Sequence, residues 1–314
     1  MTATDRAHHL SNTKLDEIRA RLQSIVPSGE VVLTCGSYAR REASPESDID
    51  FFIITGQVSP DMEGKLHEPG WADGARSTIS SIVPIEPAED GAFSSVETRD
   101  SMLVNIGGDR DNNHKITRRM LILLEGEWLF NESGLNDVRR HVLERYIGSG
   151  MTDHQLALFL LNDIIRYYRT IAVDYEFKIT EGGKPWGIRN IKLVFSRKLL
   201  YASGLFAVAL TADAGRDKKI ALLEELFRLP VIERMTTICG KRNMEGVLKS
   251  YDIFLDKMEK PEVRSRLKEL KRTERDDPIF RELKNEGHHF TRELLKLFEA
   301  TFDSTHPIHR AVVF

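Results

Sequence analysis

The first 55 residues alternate between a helical pattern and two short apolar runs. Residues 12–25 carry apolar side chains at helical spacing, and the Pro-Ser-Gly triplet at 27–29 ends the predicted helix. Residues 30–34 are rich in Val and Leu and predict a short buried strand. Residues 48–55, DIDFFIIT, predict a second strand that starts acidic and becomes wholly apolar. This change along one strand is typical of a central strand with one end open to a site.

Weaker patterns fill the rest of the N-terminal region. Residues 38–43 predict a short helix, and residues 60–80 predict a helix that a Pro-Gly pair interrupts. Residues 82–85 and 92–98 are weaker strand candidates. Strands and helices mixed in this way predict an α/β domain over residues 1–115.

From residue 116 onward, helical spacing dominates the chain. The predicted helices are 117–125, 135–146, 153–176, 188–210, 220–227, 231–238, 244–258 and 279–301. The Gly-Ser-Gly triplet at 148–150 is the predicted hinge within this part. We therefore predict an α+β fold in which an α-helical domain, residues 116–314, follows the α/β domain.

Composition and charge narrow the classes of function. Hydrophobic residues make up 41% of the chain and charged residues 30%, which is ordinary for a globular protein in water. The net charge of -3 disfavours a broad electrostatic grip on nucleic acid but leaves room for a local basic groove. Two cysteines do not make a disulfide framework, and the N-terminus lacks the apolar core of a signal peptide. No apolar run approaches the roughly 18 residues of a membrane span. We expect a cytoplasmic protein without a membrane partner.

A turn and two acids between the predicted strands carry the candidate chemistry. Gly36 permits a tight turn after the first strand, and the backbone N–H groups of Ser37 and Tyr38 open the predicted short helix. Oriented N–H donors at a helix start bind phosphate, and the Ser37 hydroxyl adds a donor. Asp48 and Asp50 are one residue apart at the start of a strand, so their carboxylates project to the same face.

Paired carboxylates of this kind suit Mg²⁺. The ion takes one or two protein carboxylates together with the phosphates of a substrate, and Mn²⁺ is the alternative ion. One or two ions held there would bridge a triphosphate and lower the pKa of an attacking hydroxyl. A lone Gly-Ser or Asp-x-Asp is more often structural than functional. Their spacing and the two flanking strands favour the functional interpretation of Gly36, Ser37, Asp48 and Asp50 as a site for metal and nucleotide.

The segment GSYARREASPESDIDFFII resembles the signature of the DNA polymerase β-like nucleotidyltransferase superfamily. The wider context is similar to the group related to the N-terminal domain of bacterial PII uridylyltransferase. The later stretches that share this similarity are KITRRMLILLEGEWLFNE, FLLNDIIRYYRTIAVDYE and IRNIKLVFSRKLLY. The resemblance implies a mixed sheet with flanking helices, followed by a helical domain that closes the nucleotide cleft. It also implies Mg²⁺ and transfer of a nucleoside monophosphate with release of pyrophosphate.

The resemblance further implies a third catalytic carboxylate on a neighbouring strand. We expect Glu97 to be this residue, since residues 92–98 are a strand candidate. The rival acids are Glu89, Asp90, Asp109 and Asp111. Each of them is more often a solvated loop acid.

Basic residues near the motif are candidate phosphate contacts. Arg40 follows the turn, and its alternative role is an ion pair with Glu42 or Glu46. Arg118 and Arg119 lie at the predicted start of a helix, where they would bind phosphate or pair with acids of the cleft.

Two predicted helices of the second domain carry further candidates. Asn162, Arg166 and Arg169 share one stripe, which predicts a buried cleft lining, and the alternative is an ordinary structural ion pair. On the next helix, the polar members that share a face are Arg189, Lys192 and Ser196, and the alternative for them is an exposed basic face. The aromatic residues Tyr167, Tyr168 and Trp186 are candidates for stacking on a base, although such residues are more often core.

Three functions remain open at this point. The first is a magnesium-dependent nucleotidyltransferase that modifies a protein or an RNA 3′ end, as a regulatory, toxin or defence enzyme. The second is transfer to a small molecule, of the aminoglycoside type or in the synthesis of a nucleotide second messenger. The third is a catalytically dead nucleotide-binding or interaction module. The nucleotide, the acceptor and the oligomeric state have no signal in the sequence.

Overall fold

The computed structural model describes residues 1–56, 69–85, 96–153 and 155–313. The chain divides into two compact units. The sheet unit is Ala7–Gly148, and the helical unit consists of Met1–Arg6 and Ser149–Phe314. The division falls within the Gly-Ser-Gly triplet in which a hinge was predicted.

The sheet unit is built on a mixed four-stranded sheet. Its strands are β1 (Val31–Cys35), β2 (Asp50–Thr55), β3 (Val96–Thr98) and β4 (Glu127–Phe130). They lie in the order β3-β2-β1-β4. β1 is antiparallel to both of its neighbours, whereas β2 and β3 are parallel. The apolar runs predicted as strands at 30–34 and 48–55 therefore form the two central strands, and the predicted α+β class is confirmed.

The helices of this unit are α1 (Ala3–Leu22, of which residues 7–22 belong here), α2 (Ala72–Ile82), α3 (Arg99–Leu103), α4 (Asn113–Leu124) and α5 (Glu132–Tyr146). One face of the sheet packs on α1 and α2. Leu15, Ile18 and Leu22 of α1 meet Ile53 of β2 and Ile79 of α2 in one apolar cluster. Alternation along β2 sends Phe51 and Ile53 into this cluster. Asp50, which alternates with them, consequently projects from the other face.

Several predictions for this region need correction. Residues 37–41 form consecutive turns and not the predicted helix over 38–43. The candidate strand at 82–85 is wrong, because α2 continues to Ile82 and no strand follows it within the described residues up to 85. Part of the predicted helix 60–80 and part of the predicted strand 92–98 lie outside the described residues.

β4 and α3 have no counterpart among the predicted elements. β4 lies beyond residue 115, the predicted end of the α/β domain, yet it pairs with β1. The compact sheet unit accordingly continues to Gly148. Sequence periodicity could not show this, because strand pairing across about 95 residues is a tertiary contact.

In its described part, the second unit contains helices and no strands. They are α6 (Leu158–Thr180), α7 (Trp186–Lys192), α8 (Lys198–Ala209), α9 (Arg216–Arg228), α10 (Val231–Cys239), α11 (Glu245–Glu259), α12 (Pro261–Glu269), α13 (Pro278–Thr301) and α14 (Ile308–Ala311). A π-helical segment, Leu193–Arg197, joins α7 to α8. The single helix predicted over 188–210 is thus interrupted by a wider turn. No helix among the described residues has both the length and the apolar character to cross a membrane.

Candidate functional site

The turn after β1 and the start of β2 lie side by side at one end of the sheet. Cys35, the last residue of β1, is paired with Asp50, the first residue of β2. The Thr34 hydroxyl donates a hydrogen bond of 2.5 Å to the backbone carbonyl of Asp50, which fastens this end of β2 to β1. Gly36, next after Cys35, is therefore brought next to the Asp50 side chain.

Gly36 has a backbone conformation that a side chain would strain. Its φ is +81°, in the left-handed region that favours glycine. A Cβ atom built on it would stand 3.4 Å from Oδ2 of Asp50. Glycine thus allows the backbone both to turn and to approach the carboxylate closely. Such a close backbone approach is compatible with a bound metal or phosphate.

The residues after Gly36 form a compact turn. The Arg40 N–H donates to the Gly36 carbonyl at 3.0 Å, and the Glu42 N–H donates to the Ser37 carbonyl at 2.8 Å. Ser37 is half-buried. Because the segment is not a helix, the predicted contribution of a helix dipole to phosphate binding is lost. The local N–H groups and the Ser37 hydroxyl remain the candidate donors.

Asp48 and Asp50 project on the side of β2 away from the apolar cluster. Ile49, which separates them, is 2% exposed and belongs to the cluster with Phe51 and Ile53. Alternating side chains then place both carboxylates on the opposite side, where both are half-buried. Among the described residues, the Asp48 carboxylate has no hydrogen bond or ion pair. A half-buried, uncompensated carboxylate beside a second one fits a divalent cation.

Tyr38 is a neighbour of this site that the sequence did not single out. Its side chain is 3% exposed. Burial raises the pKa of Tyr38 to about 12, and the charge of Asp48 contributes to the rise. The tyrosine therefore stays protonated at neutral pH and forms one buried boundary of the carboxylate site. Its position directly after Gly-Ser is the signal that would have indicated it.

Glu97 does not meet the two aspartates. It lies on β3, the strand next to β2, as predicted, but it is paired with Ile54, four residues beyond Asp50. Four residues of strand span about 13 Å, too far for a shared ion. Its carboxylate is held by Arg118 and accepts a 2.7 Å hydrogen bond from the Ser101 hydroxyl. In this structure Glu97 is a partner of Arg118 and is not placed as a metal ligand.

The rival acids do not complete a metal site either. Asp111 is buried and binds Arg119 through two bonds of 2.8 and 2.6 Å, whereas Asp109 is exposed. Glu89 and Asp90 lie outside the described residues. Within the described part of the chain, no group of three or more His, Cys, Asp or Glu side chains is arranged to hold a metal ion. Among the described residues, the candidate metal ligands are therefore Asp48 and Asp50.

Arg40 has the ion-pair role that was its alternative. It is 5% exposed, and its guanidinium binds Glu42 at 3.0 Å and also Glu125. Arg41, whose backbone φ is 61°, binds a different acid, Glu127, at 3.0 Å. The two arginines fasten the turn to residues around β4, and Arg40 is not placed to contact phosphate.

Arg118 and Arg119 also act within the fold. α4 begins at Asn113, after the Asn112 side chain caps it, so the two arginines lie inside the helix and not at its start. Arg118 binds Glu97. Arg119 is fully buried, binds Asp111 and donates to the Tyr146 hydroxyl at 3.0 Å. Pairing with acids, and not phosphate contact, is the role that the structure shows for both.

The polar candidates of the helical unit differ in their exposure to solvent. Asn162, Arg166 and Arg169 are exposed, so the predicted buried lining is wrong. Lys192 is exposed as well, whereas Arg189 is half-buried and burial lowers its pKa. The role of these residues as nucleotide contacts remains a prediction.

Ser196 does not share the predicted face with Arg189 and Lys192. It lies in the π-helical segment, where the wider turn changes the angular spacing of the side chains. It is 4% exposed, and its hydroxyl accepts a 3.3 Å hydrogen bond from Tyr251. Ser196 is therefore part of the helical core.

The candidate aromatic residues are mostly core. Tyr167 is 2% exposed, and Trp186 packs on Phe280 with ring centroids 4.5 Å apart. Tyr168 is half-buried and stacks on Tyr201 at a centroid distance of 4.5 Å. None of these three is shown to contact a base.

The family comparison covers the same segment as the site. A family model described as "Nucleotidyltransferase domain" matches residues 15–100. This stretch begins in α1, ends just after β3 and includes Gly36, Asp48 and Asp50. The match supports the polymerase β-like superfamily and, in general terms, a nucleotidyl-transfer activity. No curated protein matches the chain. The resemblance to the PII uridylyltransferase group is not confirmed.

Proposed function

We propose that this protein is a Mg²⁺-dependent nucleotidyltransferase that transfers a nucleoside monophosphate from a nucleoside triphosphate to a protein or to an RNA 3′ end. One observation carries the proposal. Gly36, a glycine at positive φ, and the Asp48–Asp50 pair meet at one end of the sheet, inside the segment that matches the nucleotidyltransferase domain. Asp48 and Asp50 would hold the ion, and Gly36 and Ser37 would receive the phosphates.

The reaction needs positioning and charge neutralisation more than covalent chemistry from the protein. The acceptor hydroxyl oxygen forms a bond to the α-phosphorus, and the bond from that phosphorus to the oxygen bridging the β-phosphate breaks. Pyrophosphate leaves with the electron pair, and the hydroxyl proton passes to solvent. When bound, Mg²⁺ supplies positive charge that neutralises the phosphates. Asp48 and Asp50 fix its place, and the backbone N–H groups near Ser37 orient the triphosphate.

The donors of this chain fit Mg²⁺. Two hard oxygen ligands on one side of a strand match the one or two carboxylates that Mg²⁺ takes from proteins. Tyr38 stays protonated and adds no second negative charge, which leaves Asp48 to the ion. A third carboxylate is not placed among the described residues, so the proposal includes Asp48 and Asp50 alone.

The decisive experiment combines labelling with metal binding. The purified chain is incubated with Mg²⁺ and each of the four ribonucleoside triphosphates, labelled at the α-phosphate, in the presence of cellular protein or RNA. We expect label in one macromolecular fraction and a loss of about 1000-fold in Asp48→Asn and Asp50→Asn, equivalent to about 4 kcal/mol. Asp137→Asn, which removes an exposed acid of α5, is the matched control and should retain activity.

Other outcomes separate the competing functions. Label in a low-molecular-weight product alone would favour a small-molecule transferase. Mg²⁺ binding by calorimetry that is equal in wild type and Asp48→Asn would refute the assigned metal site. An absence of label in every fraction, with nucleotide binding retained, would favour a binding module.

A further inference from the structure

Two lysines of the helical unit hold positive charge where the described residues provide no acid. Lys198, at the start of α8, donates a 2.7 Å hydrogen bond to the hydroxyl of Thr291. Lys284, on α13, donates a 3.1 Å hydrogen bond to the side-chain carbonyl of Asn190. Both lysines are half-buried, and both partners are neutral. Neither ammonium group forms an ion pair with a carboxylate in the part of the chain that the structure describes.

The two charges act on each other. Burial lowers the pKa of Lys198, and the charge of Lys284 lowers it further. Burial likewise lowers the pKa of Lys284, with a contribution from the charge of Arg275. Half-buried like charges are unfavourable unless something neutralises them. The arrangement is therefore unlike an ordinary surface lysine pair.

The surrounding fold holds the two neutral partners in place. The Thr291 hydroxyl donates to the Gly287 carbonyl at 2.8 Å, which turns its lone pairs toward Lys198. The Asn190 amide nitrogen donates to the Tyr175 hydroxyl at 2.8 Å, which turns its carbonyl toward Lys284. Each ammonium group has three N–H donors and uses one of them toward the residues that the structure describes, so two remain for a ligand.

A close helix approach produces this arrangement. A Cβ atom at Gly287 of α13 would stand only 2.5 Å from a methyl group of Val194 in the π-helical segment. Glycine at this position lets α13 pack against that segment. The π-helical segment ends one residue before Lys198, so the approach also sets the position from which Lys198 reaches Thr291. π-Helical insertions occur frequently at functional sites.

We propose that Lys198 and Lys284 bind a phosphate-bearing anion in the helical unit. An oxyanion with two or more negative charges would neutralise both ammonium groups and accept the remaining N–H donors. Thr291 lies seven residues after Lys284 on α13, or about 10 Å along the helix axis. A ligand with two linked phosphates spans such a site better than a single phosphate. Pyrophosphate is accordingly the probe that we expect to bind best.

The test measures binding by the whole chain without catalysis. Calorimetry and thermal unfolding are recorded with pyrophosphate, with inorganic phosphate and with chloride at equal ionic strength, all in a chelator that removes divalent ions. Under these conditions a metal-dependent nucleotide site at Asp48 and Asp50 contributes nothing, so this proposal and the proposed function fail separately. We expect pyrophosphate to bind and to raise the unfolding temperature, with inorganic phosphate weaker.

Variants identify the site. Lys198→Gln and Lys284→Gln should each weaken pyrophosphate binding at least about 10-fold, since each removes charged hydrogen bonds. Lys198→Arg keeps the charge and should retain binding. Lys249→Gln, which removes an exposed lysine of α11, is the matched control and should bind like wild type. Circular dichroism of each variant checks that the fold is retained.

Two results would overturn the proposal. One is stabilisation by pyrophosphate no greater than that by chloride. The other is equal pyrophosphate binding in wild type and in the Lys198→Gln/Lys284→Gln double variant. A further arm compares adenosine triphosphate with pyrophosphate. Tighter binding of the triphosphate that both substitutions abolish would identify a nucleotide as the source of the phosphates, and equal binding would indicate the free anion.

Discussion

The two units of the chain carry unbalanced charges of opposite sign. In the sheet unit, the Asp48 carboxylate has no cation within bonding distance among the described residues. In the described part of the helical unit, the hydrogen-bond partners of Lys198 and Lys284 are neutral. A half-buried charge without a counter-ion costs stability. These are accordingly the two places where we propose a ligand, a cation at Asp48 and an anion at Lys198 and Lys284.

Other buried charges of the sheet unit show the opposite arrangement. Arg119 and Asp111 bind each other with both side chains inaccessible to solvent. Arg40 is enclosed by Glu42 and Glu125. Each guanidinium binds at least one carboxylate within the fold, so neither arginine needs an anionic ligand. Arg119 and Arg40 have ionic partners, whereas Asp48 has none among the described residues. An ionic partner, and not charge itself, thus distinguishes these arginines from the candidate site.

Buried cations of the helical unit show a second way to satisfy a charge. Lys219 donates to the backbone carbonyls of Asp153 and Thr211 at 3.0 and 2.7 Å. Arg234 donates to the carbonyls of Leu226 and Leu229, at the end of α9, at 2.9 and 3.1 Å. Carbonyls at helix ends attract cations. Lys198 and Lys284 differ from these residues because, within the described ranges, each ammonium group makes one hydrogen bond, and its acceptor is a side chain.

The largest effect should follow when a balanced pair is broken. Arg119→Met leaves the Asp111 carboxylate buried without its cation, and we expect a loss of about 3–5 kcal/mol in the free energy of unfolding. Urea denaturation measures it. The double variant Arg119→Met/Asp111→Leu should recover most of the loss, since no charge remains buried. A loss below about 1 kcal/mol in the single variant would contradict the role given to the pair.

A smaller effect should come from the turn that faces Asp50. Gly36→Ala forces a side chain into a backbone conformation with φ near +81° and brings a methyl group against the carboxylate. We expect a loss of about 1–2 kcal/mol in the free energy of unfolding, together with weaker Mg²⁺ binding by calorimetry. Gly29→Ala is the matched control, because a Cβ atom there meets nothing within 4 Å. Equal effects of the two substitutions would show that the turn is not special.

The smallest effects on the free energy of unfolding should come from removing the unbalanced charges. In contrast to the substitutions above, these should not destabilise the ligand-free protein. Asp48→Asn and Lys198→Gln each remove a charge that no described residue neutralises in the ligand-free chain. We expect the free energy of unfolding to stay constant or to rise by about 0.5 kcal/mol. Urea denaturation of the ligand-free protein checks this. A loss of several kcal/mol in either variant would show that the charge supports the fold and would contradict its proposed role in binding.

The charge of Lys198 should give the ligand-free protein a specific pH dependence of stability. Its folded pKa is lowered from the ordinary 10.5 by burial and by Lys284. The unfolded chain therefore binds more protons as the pH approaches 10.5, and the stability of wild type rises over that range. The advantage of Lys198→Gln over wild type should be full near neutral pH and should vanish as the pH passes 10.5. Denaturation at several pH values measures the difference.

Local pattern was sufficient for the central part of the fold. Apolar runs identified β1 and β2, and helical spacing indicated the helical character of the chain beyond residue 116. β4 escaped detection because its four residues, EWLF, become a strand only by pairing with β1. The break between α7 and α8 escaped detection because a π-helical turn keeps the same apolar composition while it changes the angular spacing.

The candidate site divides in the same way. The sequence alone determined that Gly36, Asp48 and Asp50 share one end of the sheet, since a turn and a strand start are local features with fixed alternation. Only the tertiary structure decided the partners of the other charged candidates. Arg40 binds Glu125, and Glu97 binds Arg118. The reason is physical, because the energy of a buried charge depends on neighbours that the chain brings together from distant positions.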